Sequence, residues 1–194
     1  MLSDMDDDYF AQMLRALYSA NDERLREKYH RSLPFADGLF DRWERARRLG
    51  FGAGASIYNS ALVFGEVQVG ENTWVGPNTI LDGSGGKLSI GSFCSVSAGV
   101  HIYTHDSVLW ALSGGIKEFR QADIAIGDSV YIGSQSMIAL GVSIGSRCVI
   151  AANSFVNRDI PEGTVVAGSP AKSIGWVEGH GDSVHIHYGI KSDL

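Results

Sequence analysis

Few side chains in the second half of this 194-residue chain can do chemistry, and they are thinly spread. The segment Ile102-Tyr-Thr-His-Asp106 offers an imidazole and a carboxylate side by side. Histidine has an unperturbed pKa of ~6.5, so near pH 7 it is able to accept a proton. Outside any motif, a lone His before Asp reads first as a hydrogen-bonded loop residue. His101 and His105 form a His-x3-His pair, but no third ligand follows at metal-site spacing, because His180, His185 and His187 fall near the C-terminus. Arg158 and Lys172 are among the few cations of this half, and Asn78 and Asp82 are polar residues before the run Gly83-Ser-Gly-Gly86. Cys94 and Cys148 occupy positions where small residues recur, which marks them as packing residues rather than nucleophiles or a disulfide.

The elements that must position these groups follow a period of six. Aliphatic residues stand at Ile57, Val63, Val69, Val75 and Leu81, slip by three, and resume at Ile90, Val96 and Ile102. After a break they return at Ile126, Ile132, Ile138, Ile144, Ile150 and Val156. Four residues beyond most of these aliphatics lies a small or β-branched side chain, such as Ala61, Thr73, Cys94, Val130 or Ser154. Glycine often follows the aliphatic directly, as at Gly70, Gly91 and Gly133, and is expected to supply backbone angles that a Cβ would penalise. This period matches a parallel β-helix, in which three short strands make a coil of about eighteen residues that buries its aliphatics only against its neighbours.

The repeats, the Ile102–Asp106 segment and Asp159-Ile-Pro-Glu-Gly-Thr-Val-Val-Ala-Gly-Ser-Pro-Ala-Lys172 together resemble the hexapeptide-repeat acyltransferases, and within them the sugar O-acetyltransferase group of galactoside, maltose and xenobiotic acetyltransferases. The likeness runs from Ile57 to about Gly175. It implies a mainly β fold, a left-handed parallel β-helix; the left hand comes from the resemblance alone, since ordinary crossovers are right-handed. It also implies a homotrimer, and acetyl-CoA as co-substrate for a sugar, nucleotide-sugar or glycan-precursor acceptor. By the same resemblance His105 is the catalytic base, with Asp106 a candidate to orient it. Neighbouring side chains of an extended backbone point apart, however, so Asp106 would need a turn.

For the cofactor the resemblance implies Ser97, Gly133, Ser134, Ala151 and Ala152 along the pantetheine and Arg158 and Lys172 at the phosphates. Where relatives often carry one more basic residue, this chain has Gly175. For the acceptor it implies Asn78, Asp82 and Trp110. Other readings of the same repeats are acetylation of an amino sugar nitrogen, a zinc protein like the γ-type carbonic anhydrases, and a scaffold without activity; no resident metal is expected.

The chain divides into a helical segment 1–52, a β-helix 53–160 with an extruded loop 106–123, and a closing segment with tail 161–194. Phe10, Met13, Leu14, Leu17 and Tyr18 have helical spacing behind Asp6, Asp7 and Asp8; a second helix is expected after Asp22, ended by Pro34, and a third from about Leu39 to Leu49. Val184–Tyr188 alternates like a short strand. The net charge is -6, and the nine Lys and Arg of the first fifty residues are mixed with ten acids, so a nucleic-acid footprint is not expected. The acidic start and the lack of a long apolar run lead to the expectation of a cytoplasmic protein without a membrane span.

Overall fold

A computed structural model describes residues 7–189; Asp6, the residues before it and the end of the tail lie outside the described residues. The repeats wind into a left-handed parallel β-helix with three faces. The first face stacks Ile57, Val75, Val96, Ile132, Ile150 and Val166 in parallel register. Val63, Leu81, Ile102, Ile138 and Val156 form the second. On the third, Val69, Ile90, Ile126 and Ile144 are continued by a bridge to Ile160. All but Val63 of the periodic aliphatics are buried, and Val63 packs half-buried in the first coil, where one side has no neighbouring coil. Interior hydroxyls donate to carbonyls of their own or the next coil, as from Thr73 Oγ1 to Gly91 O at 2.8 Å and Ser136 Oγ to Ala151 O at 2.9 Å. No buried side-chain N or O among the described residues lacks a partner, so these hydroxyls sit in the core without the cost of an unmade hydrogen bond.

The glycines that follow the aliphatics work differently from the sequence expectation. They keep ordinary backbone angles; a Cβ on Gly76 would instead meet the backbone nitrogen of Ala98 in the next coil at 2.8 Å. Close stacking of coils, not backbone freedom, calls for glycine there. The left-handed backbone comes two residues later, at Asn72, Asn78, Phe93, Ser129, Gln135, Arg147 and Asn153, all with φ between 53° and 62°. Asn, the commonest of them, tolerates this region.

Three helices precede the coils: α1 Asp7–Tyr29, α2 Phe35–Leu39 and α3 Arg42–Arg48. The break expected near Asp22 is absent. Asp22 lies inside α1 and pairs with Arg26 at 2.9 Å, one turn on, and no Gly or Pro interrupts the run. Asp41 caps α3 by accepting from Glu44 N at 2.7 Å, so that helix starts later than Leu39. From α3, Ala46 enters the core and Arg45 donates to the carbonyls of Tyr58 and Ala61, covering open edge groups of the first coil. Burial, opposed by Asp37, lowers the Arg45 pKa. At the other end the strand Lys172–Glu178 folds back antiparallel on Thr164–Ala167, and His185–Tyr188 pairs antiparallel with Lys172–Glu178, with His187 stacked on Trp176 at 5.0 Å. The tail therefore packs along its own column.

Candidate active site

From the second to the third face the chain needs six residues in a plain coil, as from Val63 to Val69 or Ile138 to Ile144. It takes nine from Leu81 to Ile90 and twenty-four from Ile102 to Ile126. The three-residue slip and the long insertion thus occur at one corner, in successive coils. The corner Gly83–Gly86 forms a platform under the root of the insertion: Gly85 N donates to Thr104 Oγ1 at 3.1 Å and Lys87 N to Asp123 Oδ1 at 2.8 Å. Gly85 lies so close to His105 that any Cβ on it would overlap the His105 Cβ.

The insertion is a hairpin. His105–Asp106 pairs antiparallel with Arg120–Gln121, and α4, Val108–Leu112, follows the first stem strand. Asp106 closes the stem by accepting from Arg120 Nε at 3.1 Å, from a second Arg120 nitrogen, and from Val108 N at 3.0 Å. These hydrogen bonds, led by that from Arg120, hold the Asp106 carboxyl below the usual carboxylate range. The Asp106 carboxylate is thus engaged within the hairpin stem, by Arg120 and the Val108 amide. Its side chain leaves the extended stem on the other side, as alternation in a strand requires.

The carboxylate facing His105 is Asp82, from the slip corner one coil back. Its Oδ2 lies 3.4 Å from His105 Nδ1, and its side chain is 7% exposed. Asp82 Oδ1 is fixed by hydrogen bonds from the amide (2.9 Å) and hydroxyl of Ser84, whose oxygen is also 3.4 Å from Nδ1. The His105 ring, 29% exposed, lies parallel to Phe119 at 6.2 Å, and Phe119 meets Trp110 edge-on at 5.8 Å. An imidazole whose Nδ1 faces a fixed carboxylate holds its proton on that side and keeps Nε2 as an acceptor. Burial first, and Asp82 second, raise the Tyr103 pKa next to this cluster.

Of the residues read from the sequence, His105, Asp82 and the Trp110 hairpin come together. Asn78, exposed at the corner between the first and second faces, does not. That corner instead carries Ser97, Gly133-Ser134 and Ala151-Ala152 one rung above another, tied by Ser97 N to Ile132 O and Gly133 N to Ile150 O. Arg158 and Lys172 are exposed, and neither side chain has a partner among the described residues. Ser84, Phe119 and Arg120 were not singled out as site residues from sequence; the slip and the break, read as departures at one corner, were the available signal. Cys94 and Cys148 are buried free thiols whose pKa values burial pushes up, which suits packing rather than attack. Among the described residues no three His, Cys, Asp or Glu gather in a cluster fit to hold a metal ion.

Comparison with known proteins agrees with this architecture. A family model described as the hexapeptide repeat of succinyl-transferase matches residues 123–158. A chloramphenicol acetyltransferase of Morganella morganii is 37% identical over 109 residues, 45% of this chain and 50% of that protein. A 2,3,4,5-tetrahydropyridine-2,6-dicarboxylate N-acetyltransferase of Staphylococcus aureus is 43% identical over 63 residues, 32% of this chain and 26% of that protein. The hexapeptide-repeat acetyltransferase VCA0836 of Vibrio cholerae, solved with acetyl coenzyme A, superposes with a TM-score of 0.58 at 28% identity over 90% of this chain and 91% of that one. The chain is thus similar to hexapeptide-repeat acetyltransferases in its repeats and in its fold. It spans about half the length of the chloramphenicol acetyltransferase it matches.

Proposed function

We propose that the protein transfers an acetyl group from acetyl-CoA to a hydroxyl of a sugar, nucleotide-linked sugar or glycan precursor. The observation that carries this reading is the His105 imidazole at the root of the hairpin, its Nδ1 facing Asp82 and its Nε2 left to take a proton. His105 Nε2 removes the acceptor's hydroxyl proton as that oxygen attacks the thioester carbonyl. The tetrahedral intermediate then expels the coenzyme A thiolate, which receives the proton back from the imidazolium. A thioester needs no covalent help from the protein, so transfer is direct. Asp82, first read as an acceptor contact, serves instead to hold the imidazole; Asp106 holds the hairpin.

The pantetheine runs along the corner of Ser97, Gly133-Ser134 and Ala151-Ala152, where small residues leave backbone within reach, and Arg158 and Lys172 meet the phosphates. That corner and His105 are one face apart, roughly 20 Å along six extended residues. Within one chain the two halves are therefore separated, which supports a homotrimer whose sites combine the corner of one column with the hairpin of the next. Among the described residues no helix is long and apolar enough to cross a membrane, and the reading places the enzyme in the cytoplasm with its soluble co-substrate. The N-acetyltransferase among the relatives keeps nitrogen acetylation as the second reading.

The test follows thiol release from acetyl-CoA across sugars, nucleotide sugars and amino sugars. His105→Ala is expected to slow the best reaction by a factor on the order of a hundred to ten thousand, with acetyl-CoA affinity unchanged. An undiminished rate removes His105 from the mechanism, and turnover confined to amino groups selects the second reading.

A further inference from the structure

A further opening lies where the N-terminal helices meet the first coil. It is a cavity of about 360 Å³ between the end of α1, the α2–α3 connection and the first coil. That volume falls in the range that takes small organic ligands. Its walls carry three arginines, Arg24, Arg31 and Arg42, against two aspartates, Asp37 and Asp41, in a chain of net charge -6. Both aspartates are already engaged: Asp37 accepts from Ser60 N at 2.9 Å and Asp41 from Glu44 N at 2.7 Å. Arg24 is bonded only to the neutral Asn21, at 2.7 Å, and Arg31 has no side-chain partner among the described residues. The Arg42 guanidinium lies 4.2 Å from the Trp43 ring and 5.3 Å from that of Tyr58, and donates to Tyr58 OH at 3.2 Å. Trp43, Phe40 and Tyr29 line the same space and remain about half exposed.

A packed junction would bury those rings and pair its guanidinium groups. Here flat aromatic surface and an unpaired planar cation face one open space. We propose that this cavity binds a nucleoside phosphate, the base stacking against the Trp43 and Tyr58 walls and the phosphate received by Arg31. Stacking is tolerant of which base it holds, whereas the guanidinium fork matches phosphate oxygens two at a time. A volume of about 360 Å³ admits a ring joined to a sugar and a phosphate. The inference is independent of the acetyl-transfer reading.

The probe is uridine 5′-monophosphate, which lacks the adenine of coenzyme A, titrated into the full chain by calorimetry beside uridine and inorganic phosphate. Uridine 5′-monophosphate is expected to saturate at one equivalent per chain, below about a millimolar, with each fragment about tenfold weaker. Arg31→Gln and Trp43→Leu, both at exposed positions, are each expected to weaken it about tenfold, while Lys172→Ala leaves it unchanged. Absence of saturable binding overturns the proposal. So does binding that survives both cavity variants, or binding that Lys172→Ala abolishes, which would assign the nucleotide to the coenzyme corner.

Discussion

His105 and Asp82 stand in successive coils, and Nδ1 of the one lies 3.4 Å from Oδ2 of the other. The carboxylate next to the histidine in sequence, Asp106, is turned to Arg120 instead. Asp82→Asn keeps the shape and removes the charge. It is expected to lower kcat on the order of a hundredfold with the acetyl-CoA constant little changed. Asp106→Asn is expected to leave the saturated rate within a few-fold. Equal losses in the two variants would undo the assignment of Asp82 as the residue that holds the base.

Gly85 offers a test of position alone. A methyl group there must displace the His105 Cβ, which is backbone-anchored and unable to swing aside. Gly85→Ala is expected to lower kcat by about a hundredfold, as for an ångström-scale misplacement of a catalytic group, with only a small shift in Tm. An unchanged kcat would show that the platform does not fix the imidazole.

The period of six carried the column, its buried aliphatics and the place of the hairpin, because a short repeat writes each coil's core into fixed positions. It did not carry the pairing of Asp82 with His105, which depends on two departures from the period meeting at one corner. Nor did it show that Asn78 stands one face away from the histidine. The helix break expected at Asp22 failed because an acidic residue followed four later by arginine supports a helix interior as well as it starts one. Arg120 had no local signal, since only closure of the hairpin brings it to Asp106.

The Asp106–Arg120 pair gives the hairpin a direction of pH dependence. The folded-state pKa of Asp106 is lowered, mainly by the hydrogen bond from Arg120, from an ordinary value of 3.8. The pair therefore contributes in full above that value, weakens as pH falls below it, and is lost beneath the lowered pKa. Hydrogen exchange at residues 107–119 is expected to lose protection below about pH 4 and to stay level from there to neutrality. Arg120→Gln should show the looser state already at pH 7. Unchanged protection in that variant would mean that the stem is held by something else.

Leu112 and Ile116 on the hairpin are 81% and 85% exposed in the single chain, an apolar surface that a neighbouring column would cover. Sedimentation is expected to show a trimer. Lys172→Glu, which repels the coenzyme phosphates, and His105→Ala are each expected to be nearly inactive alone. Refolded together they are expected to regain roughly a quarter of wild-type turnover, from sites that draw an intact residue from each chain. A monomer would remove the shared site; a trimer without recovery would place both residues on one chain's side of it.

Both departures from the period leave the column at the same edge, three residues in one coil and eighteen in the next, and Ile90 still pairs with Ile126 and Ile102 with Ile138 across them. The ladder is indifferent to the length of the detour, and closing a loop twice as long costs only about 0.6 kcal/mol more. The edge therefore behaves as a socket. A different hairpin inserted there alters which molecule is received, while the rungs that hold the histidine keep their register, so new acceptor preferences can arise by exchanging one segment without redesigning the rest.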